Sequence, residues 1–211
     1  MNSIRLPILI LSAALLGCAG DKQPAWVRGA SKQPSKLGHY SGYVEARWEN
    51  DGRTMTLLSE LRYTDPQGVV WIAPAGSVVD GASIPRSLWS LMGGPFEGQY
   101  RNASVLHDVA YEKKTRPWEQ CDRMFYNAMR CSGVNAVEAG TMYYALRKFG
   151  HHWKHPKAEP VKLGEDIVAR GEEVRRATPV NRGDIDAARD WIRNSNPTPE
   201  QIEQRADAEW R

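Results

Sequence analysis

The 211-residue sequence is poor in several features, and each shortage excludes something. Cysteine occurs only at positions 18, 121 and 131, too few for the disulfide mesh of a small secreted scaffold. The apolar run over residues 6–16 falls short of the roughly 20 residues that span a bilayer as a helix. Charge of one sign is not in excess: 28 Lys and Arg face 25 Asp and Glu, a formal net charge of +3, which is too mild for a nucleic-acid partner. No internal repeat is present, which removes solenoids and propellers. Upstream of residue 107 the only histidine is His39, so a tandem His-Asp phosphohydrolase lacks its metal ligands. Ser83 does not sit in a nucleophile-elbow setting, which speaks against a serine hydrolase.

The amino-terminal stretch "MNSIRLPILILSAALLGC" has one basic residue, Arg5, then the apolar run, then Gly17 and Cys18. That is the build of an export signal. Leu15-Leu16-Gly17-Cys18 resembles the bacterial lipobox. The resemblance implies a signal peptide over residues 1–17 and a mature chain anchored in the membrane through lipidated Cys18. Several acyl chains hold a protein far more firmly than one. Ala19 stands where aspartate would resemble inner-membrane retention, so the implied address is the cell envelope, on the outer membrane facing the periplasm. Residues 18–37 are polar, contain proline and lack periodicity, and read as a flexible tether.

From Gly38 the pattern becomes that of strands. "HYSGYVEARWE" and "TMTLLSELRYT" flank an Asp-Gly turn, and "DPQG" leads into "VVWIAP". This predicts a small antiparallel β meander over about residues 39–79. Ser83 as N-cap and Pro85 near the first helical position open a short helix through Leu88, Trp89 and Met92. Helical patterns follow at about 100–113, 117–132 and 135–149. The fold class is α+β, a small antiparallel meander followed by a helical bundle, with the core domain over residues 38–155. Residues 156–211 form a charged helical tail of three short amphipathic pieces, with a helix start at Thr198-Pro199-Glu200-Gln201. The tail is expected to pack loosely or only with a partner. Cys121 and Cys131 lie about 15 Å apart along one helix, beyond disulfide reach, so either the helix breaks between them or both thiols stay free.

"ASVLHDVAYEKK" and "CDRMFYNAM" carry the chemistry. Tyr111 follows His107 by one helical turn and shares its face. If "KKTRP" turns the chain back as an antiparallel hairpin, Asp122 comes to lie opposite His107, and Asp108 points about a quarter-turn away. An imidazole held by a carboxylate on one nitrogen presents the other as a general base. The alternative is a buried polar cluster that fixes helix packing.

His107-Asp108-x-x-Tyr111 and Cys121-Asp122 on the next helix resemble the active-site helices of the secreted, calcium-dependent phospholipases A, including the short form in parvovirus capsids. The resemblance covers about residues 91–130. It implies His107 as the base that activates water on a lipid ester, Asp122 as its orienting carboxylate, Tyr111 as brace and Asp108 as ligand to Ca2+. Gly93 and Gly94 would supply the glycine-rich metal loop, whose spacing Pro95-Phe96 interrupts. A wider likeness joins "PAGSVVDGASIPRSLWSLMG", the HDxxY helix, "CDRMFYNAM" and "MYYALRKFG". Over about residues 68–150 it is similar to a domain of unknown function found in phages, prophages and bacteria.

Asp80, Ser83 and Arg86 read as turn and cap residues. They also suit the wall of a His107 site, with Arg86 meeting an anion. "RKFGHHWKH" reads as a solvated basic patch, with a metal between His151 and His155 the lesser reading. Two functions stay open: a lipid ester hydrolase at the envelope, and a non-enzymatic envelope lipoprotein that binds a partner or excludes phage. The hydrolase needs His107 partly exposed in a cleft, whereas the binder can have it sealed in the core; an apolar groove leading to His107 would favour a lipase.

Overall fold

The computed structural model describes residues 36–81, 83, 84, 89, 93–154, 172–175 and 179–209. Strands β1 (His39–Ser41), β2 (Ala46–Trp48), β3 (Met55–Leu57), β4 (Leu61–Thr64), β5 (Val70–Ala73) and β6 (Val78–Val79) come first. A 3-10 turn at Gly98–Tyr100 leads into α1 (Arg101–Lys113), followed by α2 (Trp118–Cys131) and α3 (Ala136–Phe149). Then come β7 (His152–Lys154), β8 (Glu172–Arg175), α4 (Arg182–Ser195) and α5 (Pro199–Ala208). The α+β class is that expected from the sequence. No helix of the described residues is long and apolar enough to cross a membrane.

The predicted turns form through the residues that signalled them. Asp51 accepts from the backbone N–H groups of Arg53 and Thr54 at 2.9 and 2.8 Å and closes the β2–β3 hairpin. Asp65 does the same for Gln67 and Val69, both at 2.9 Å, between β4 and β5. The meander is not one sheet, however. Both of its long runs bend, and the strands sort into two antiparallel sheets of order β1-β4-β5 and β2-β3-β6. The bend in the first run falls at Gly42, where φ is +88° and a β-carbon would stand 2.7 Å from the Glu60 carbonyl oxygen. Only glycine lets the two bent segments approach so closely.

The inward faces of both sheets (Met55, Leu57, Leu61, Tyr63, Trp71, Ala73 and Val79) form one core with the helices. α1 packs on β4, β5 and β6 and against α2, and α2 packs on α3. The α1–α2 turn is tight: Lys114 adopts a left-handed conformation at the end of α1, and Pro117 precedes α2. Tyr40 donates to the Ala128 carbonyl at 2.9 Å, tying β1 to α2.

The carboxy-terminal region departs from expectation in three ways. First, α4 and α5 do not pack loosely: Ile185, Ala188, Ile192, Ile202 and Ala206 are buried in the common core, against α3. Gly140 on α3 admits them, since a β-carbon there would lie 3.2 Å from the Ile202 side chain and 3.3 Å from that of Ile192. Thr198 and Gln201 form the expected capping box at the start of α5. Second, Glu172–Arg175, within the first predicted amphipathic piece, is a strand paired with β7. Third, the basic stretch is no solvated patch. Arg147 and Trp153 are buried; Arg147 pairs with Asp207 at 2.8 Å, and Lys148 pairs with Asp184 and Glu209 at 2.9 and 2.8 Å. Arg147 and Lys148 are matched by carboxylates of the tail, which a local reading of composition does not pair with them, while Lys154 is exposed. Cys121 and Cys131 lie on one unbroken helix, and neither forms a disulfide. His155 and the predicted helix beyond Ser83, apart from Trp89, lie outside the described residues.

Candidate functional site

Residues 107 and 111 share one face of α1, and the tight turn brings Asp122 of α2 opposite them. His107 Nε2 lies 3.0 Å from Asp122 Oδ1, and the Tyr111 hydroxyl donates to that same oxygen. The His107 ring packs on Tyr111 and Phe125 with centroids 4.1 and 4.8 Å away. The convergence expected from the hairpin is thus present. His107 and Asp122 are both 0% exposed. Burial, followed by the neighbouring Asp122 charge, pushes the Tyr111 phenol well above its ordinary pKa, so it remains a donor. The other oxygen of Asp122, Oδ2, is buried without a hydrogen-bond partner among the described residues.

The second imidazole nitrogen meets a residue that the hairpin argument did not supply. Ser83 Oγ lies 3.0 Å from His107 Nδ1. An ionised Asp122 accepts only, so Nε2 carries the proton and Nδ1 is left to accept from the Ser83 hydroxyl. Ser83, His107 and Asp122 therefore form one hydrogen-bonded line. "VDGAS" signalled a turn, and turn residues alone do not say which helix the turn will meet. Ser83, expected near His107, is in hydrogen-bond contact with its ring.

Asp108 faces that same turn. Its Oδ2 accepts from the backbone N–H groups of Asp80 and Gly81, both at 2.8 Å, and its Oδ1 from that of Ser83 at 3.1 Å. Asp108 fastens the loop that delivers Ser83 to His107. The Asp80 side chain pairs with Arg53. Gly93 has a φ of +91°; the Gly94 N–H donates to Glu97 Oε2 at 3.2 Å, and its carbonyl accepts from Tyr100 at 2.9 Å. A calcium ion held by Asp108, Gly93 and Gly94 would have to displace three N–H donors from the carboxylate and Tyr100 from the carbonyl. Among the described residues no three His, Cys, Asp or Glu side chains group to hold a metal. The arrangement around Asp108 does not fit a cation. Arg86 and Cys18 lie outside the described residues.

A cleft of about 190 Å³ opens between β5 and α1, lined by Trp71, Ile72, Leu106, Val109, Arg116 and Cys121 among others. His107 is not part of its lining, because it faces a different side of α1 from Leu106 and Val109. Burial, followed by the adjacent Asp122, pushes the Cys121 thiol far above its ordinary pKa, so this cysteine is no ready nucleophile.

Residues 55–146 match a family model described as protein of unknown function (DUF1353). The chain is 46% identical over 97 residues to uncharacterized protein y4jT of Sinorhizobium fredii (strain NBRC 101917 / NGR234), covering 46% of this chain and 29% of that protein. It is 35% identical over 103 residues to uncharacterized protein y4iH of the same strain, covering 49% of this chain and 43% of that protein. The chain thus spans less than half the length of either relative. No solved structure matches it. The matched residues 55–146 run from β3 into α3 and hold Ser83, His107, Asp108, Tyr111 and Asp122 together.

Proposed function

We propose that this is an exported envelope protein, lipid-anchored through Cys18, whose domain hydrolyses esters with His107 as general base. The carrying observation is the fixed imidazole: Asp122 and Tyr111 hold one side of the ring, and Nδ1 is directed at a hydroxyl 3.0 Å away. In the reaction His107 Nδ1 takes a proton from the attacking oxygen, and Asp122 stabilises the imidazolium that forms. Tyr111 keeps Asp122 oriented. The base needs no metal for this step. An anchor at Cys18 would hold the domain beside membrane lipid, which favours lipid esters as the substrate class.

One specific observation favours a second reading. His107 has no exposed surface, and the N–H groups of Asp80, Gly81 and Ser83 are engaged by Asp108 and not free to meet an oxyanion. A sealed, satisfied cluster suits a non-enzymatic envelope lipoprotein that acts by binding a partner.

The test is hydrolysis of p-nitrophenyl esters of graded chain length, and of phosphatidylglycerol vesicles, by the full chain in non-ionic detergent. Wild type and His107→Ala are compared with and without calcium. The hydrolase reading requires turnover that His107→Ala lowers by about 10²–10⁴-fold in a folded protein. An inert wild type, with a variant that only loses stability, refutes it and leaves the binding reading. Metabolic labelling with palmitate, lost in Cys18→Ser, tests the anchor.

A further inference from the structure

We propose that Ser83, and not a water molecule, is the nucleophile of this hydrolase, so that the reaction passes through an acyl ester on Ser83 Oγ. The inference rests on the reading of His107 as a base and specifies what that base deprotonates. Three observations carry it. The Ser83 hydroxyl sits 3.0 Å from His107 Nδ1, the nitrogen left as acceptor once Asp122 fixes the proton on Nε2. That hydroxyl occupies the position on the ring where an activated water would have to stand. The serine is also held there from its backbone, since its own N–H and those of Asp80 and Gly81 converge on Asp108. Nucleophile, base and orienting carboxylate in one hydrogen-bonded line are recognised by geometry and not by chain order or motif. The absence of a nucleophile-elbow sequence therefore does not exclude this serine.

The steps balance. Ser83 Oγ bonds to the ester carbonyl carbon as its proton passes to His107 Nδ1. The bond from that carbon to the alcohol oxygen breaks, and the imidazolium returns the proton to the departing alcohol. Water then adds to the acyl carbon and gives its proton to Nδ1. The bond to Oγ breaks, Oγ takes the proton back, and a carboxylic acid leaves.

The experiment treats the full chain in detergent with a fluorophosphonate, which forms a phosphorus–oxygen bond to an activated serine and expels fluoride. Peptide mapping is expected to place the adduct on Ser83, with no adduct in Ser83→Ala or His107→Ala. Ester hydrolysis in Ser83→Ala is expected to fall at least about 100-fold. If Ser83→Ala does not fold, Ser83→Cys keeps the side chain's size, and its acyl thioester is sought by mass after a p-nitrophenyl ester is added. Wild-type hydrolysis that is lost in His107→Ala but retained in Ser83→Ala, or retained in Ser83→Cys without a trapped acyl group, overturns the serine and leaves His107 acting on water. A folded wild type that neither hydrolyses esters nor takes the label overturns the hydrolase reading and Ser83 with it.

Discussion

Replacing Asp108 with asparagine separates two readings of that residue, loop fastener and calcium ligand. The carboxylate receives two N–H donors on one oxygen and one on the other, and the residue is only 8% exposed. Asparagine can turn its carbonyl to Asp80 and Gly81, but its amide then confronts the Ser83 N–H, donor against donor. Two charge-assisted hydrogen bonds become neutral, about 1 kcal/mol each, and the third is lost, about 2 kcal/mol, for a total of about 4 kcal/mol. Urea unfolding of the full chain in detergent, followed by circular dichroism, reads this directly. With a slope of about 2 kcal/mol per M the midpoint falls by about 2 M. Calcium is expected to leave the wild-type midpoint unchanged. A loss below about 1 kcal/mol, or a calcium-dependent stabilisation present in wild type and absent from the variant, would refute the fastener argument and return Asp108 to the metal.

Three further expectations follow from the packing and the charges. Ile202→Ala empties a side chain that is 1% exposed, and is expected to cost about 2–5 kcal/mol in the same unfolding assay; a loss near zero would mean that α5 does not belong to the core. Tyr111→Phe takes the hydroxyl away from Asp122, whose other oxygen already lacks a partner among the described residues, and is expected to cost about 1–3 kcal/mol, with a larger loss of ester hydrolysis than of stability if the tyrosine positions the base. The tail is acid-sensitive. Hydrogen bonding from Arg123 holds Glu200 down at about 2; Glu209 is likewise at about 2, where burial pushes up but hydrogen bonds from Lys148, Tyr144 and Arg205 outweigh it. Both folded-state values lie below the ordinary 4.5, so the contribution is complete above pH 4.5 and is lost as pH falls toward 2. Both glutamates are partly exposed, so added salt shrinks the effect; Glu200→Gln with Glu209→Gln is expected to flatten the fall of the urea midpoint between pH 5 and 3.

Much of this protein was legible without a structure, because local chemistry decided it. Asp51-Gly52 and Asp65-Pro66-Gln67-Gly68 place turns through their own side chains and backbone freedom, and the 3.6-residue period places α1, α2 and α3 within a residue or two. The meeting of His107, Tyr111 and Asp122 was also within reach, since a short turn between two helices makes the opposition of residues a matter of counting.

What only the tertiary structure decided are the contacts between parts of the chain that no turn or period connects. The division of one meander into two sheets depends on Gly42 lying against the Glu60 carbonyl, a non-local approach. Arg147 and Lys148 in the last turn of α3 are paired with Asp207, and with Asp184 and Glu209, which lie tens of residues further on. Ser83 and Asp108, 25 residues apart, find each other because packing sets Asp80, Gly81 and Ser83 over α1. Sequence by itself chose the residue types and local shapes; long-range packing chose which hydroxyl faces His107 and which amides face Asp108, because burial pairs polar groups with whatever partner the fold brings within 3 Å.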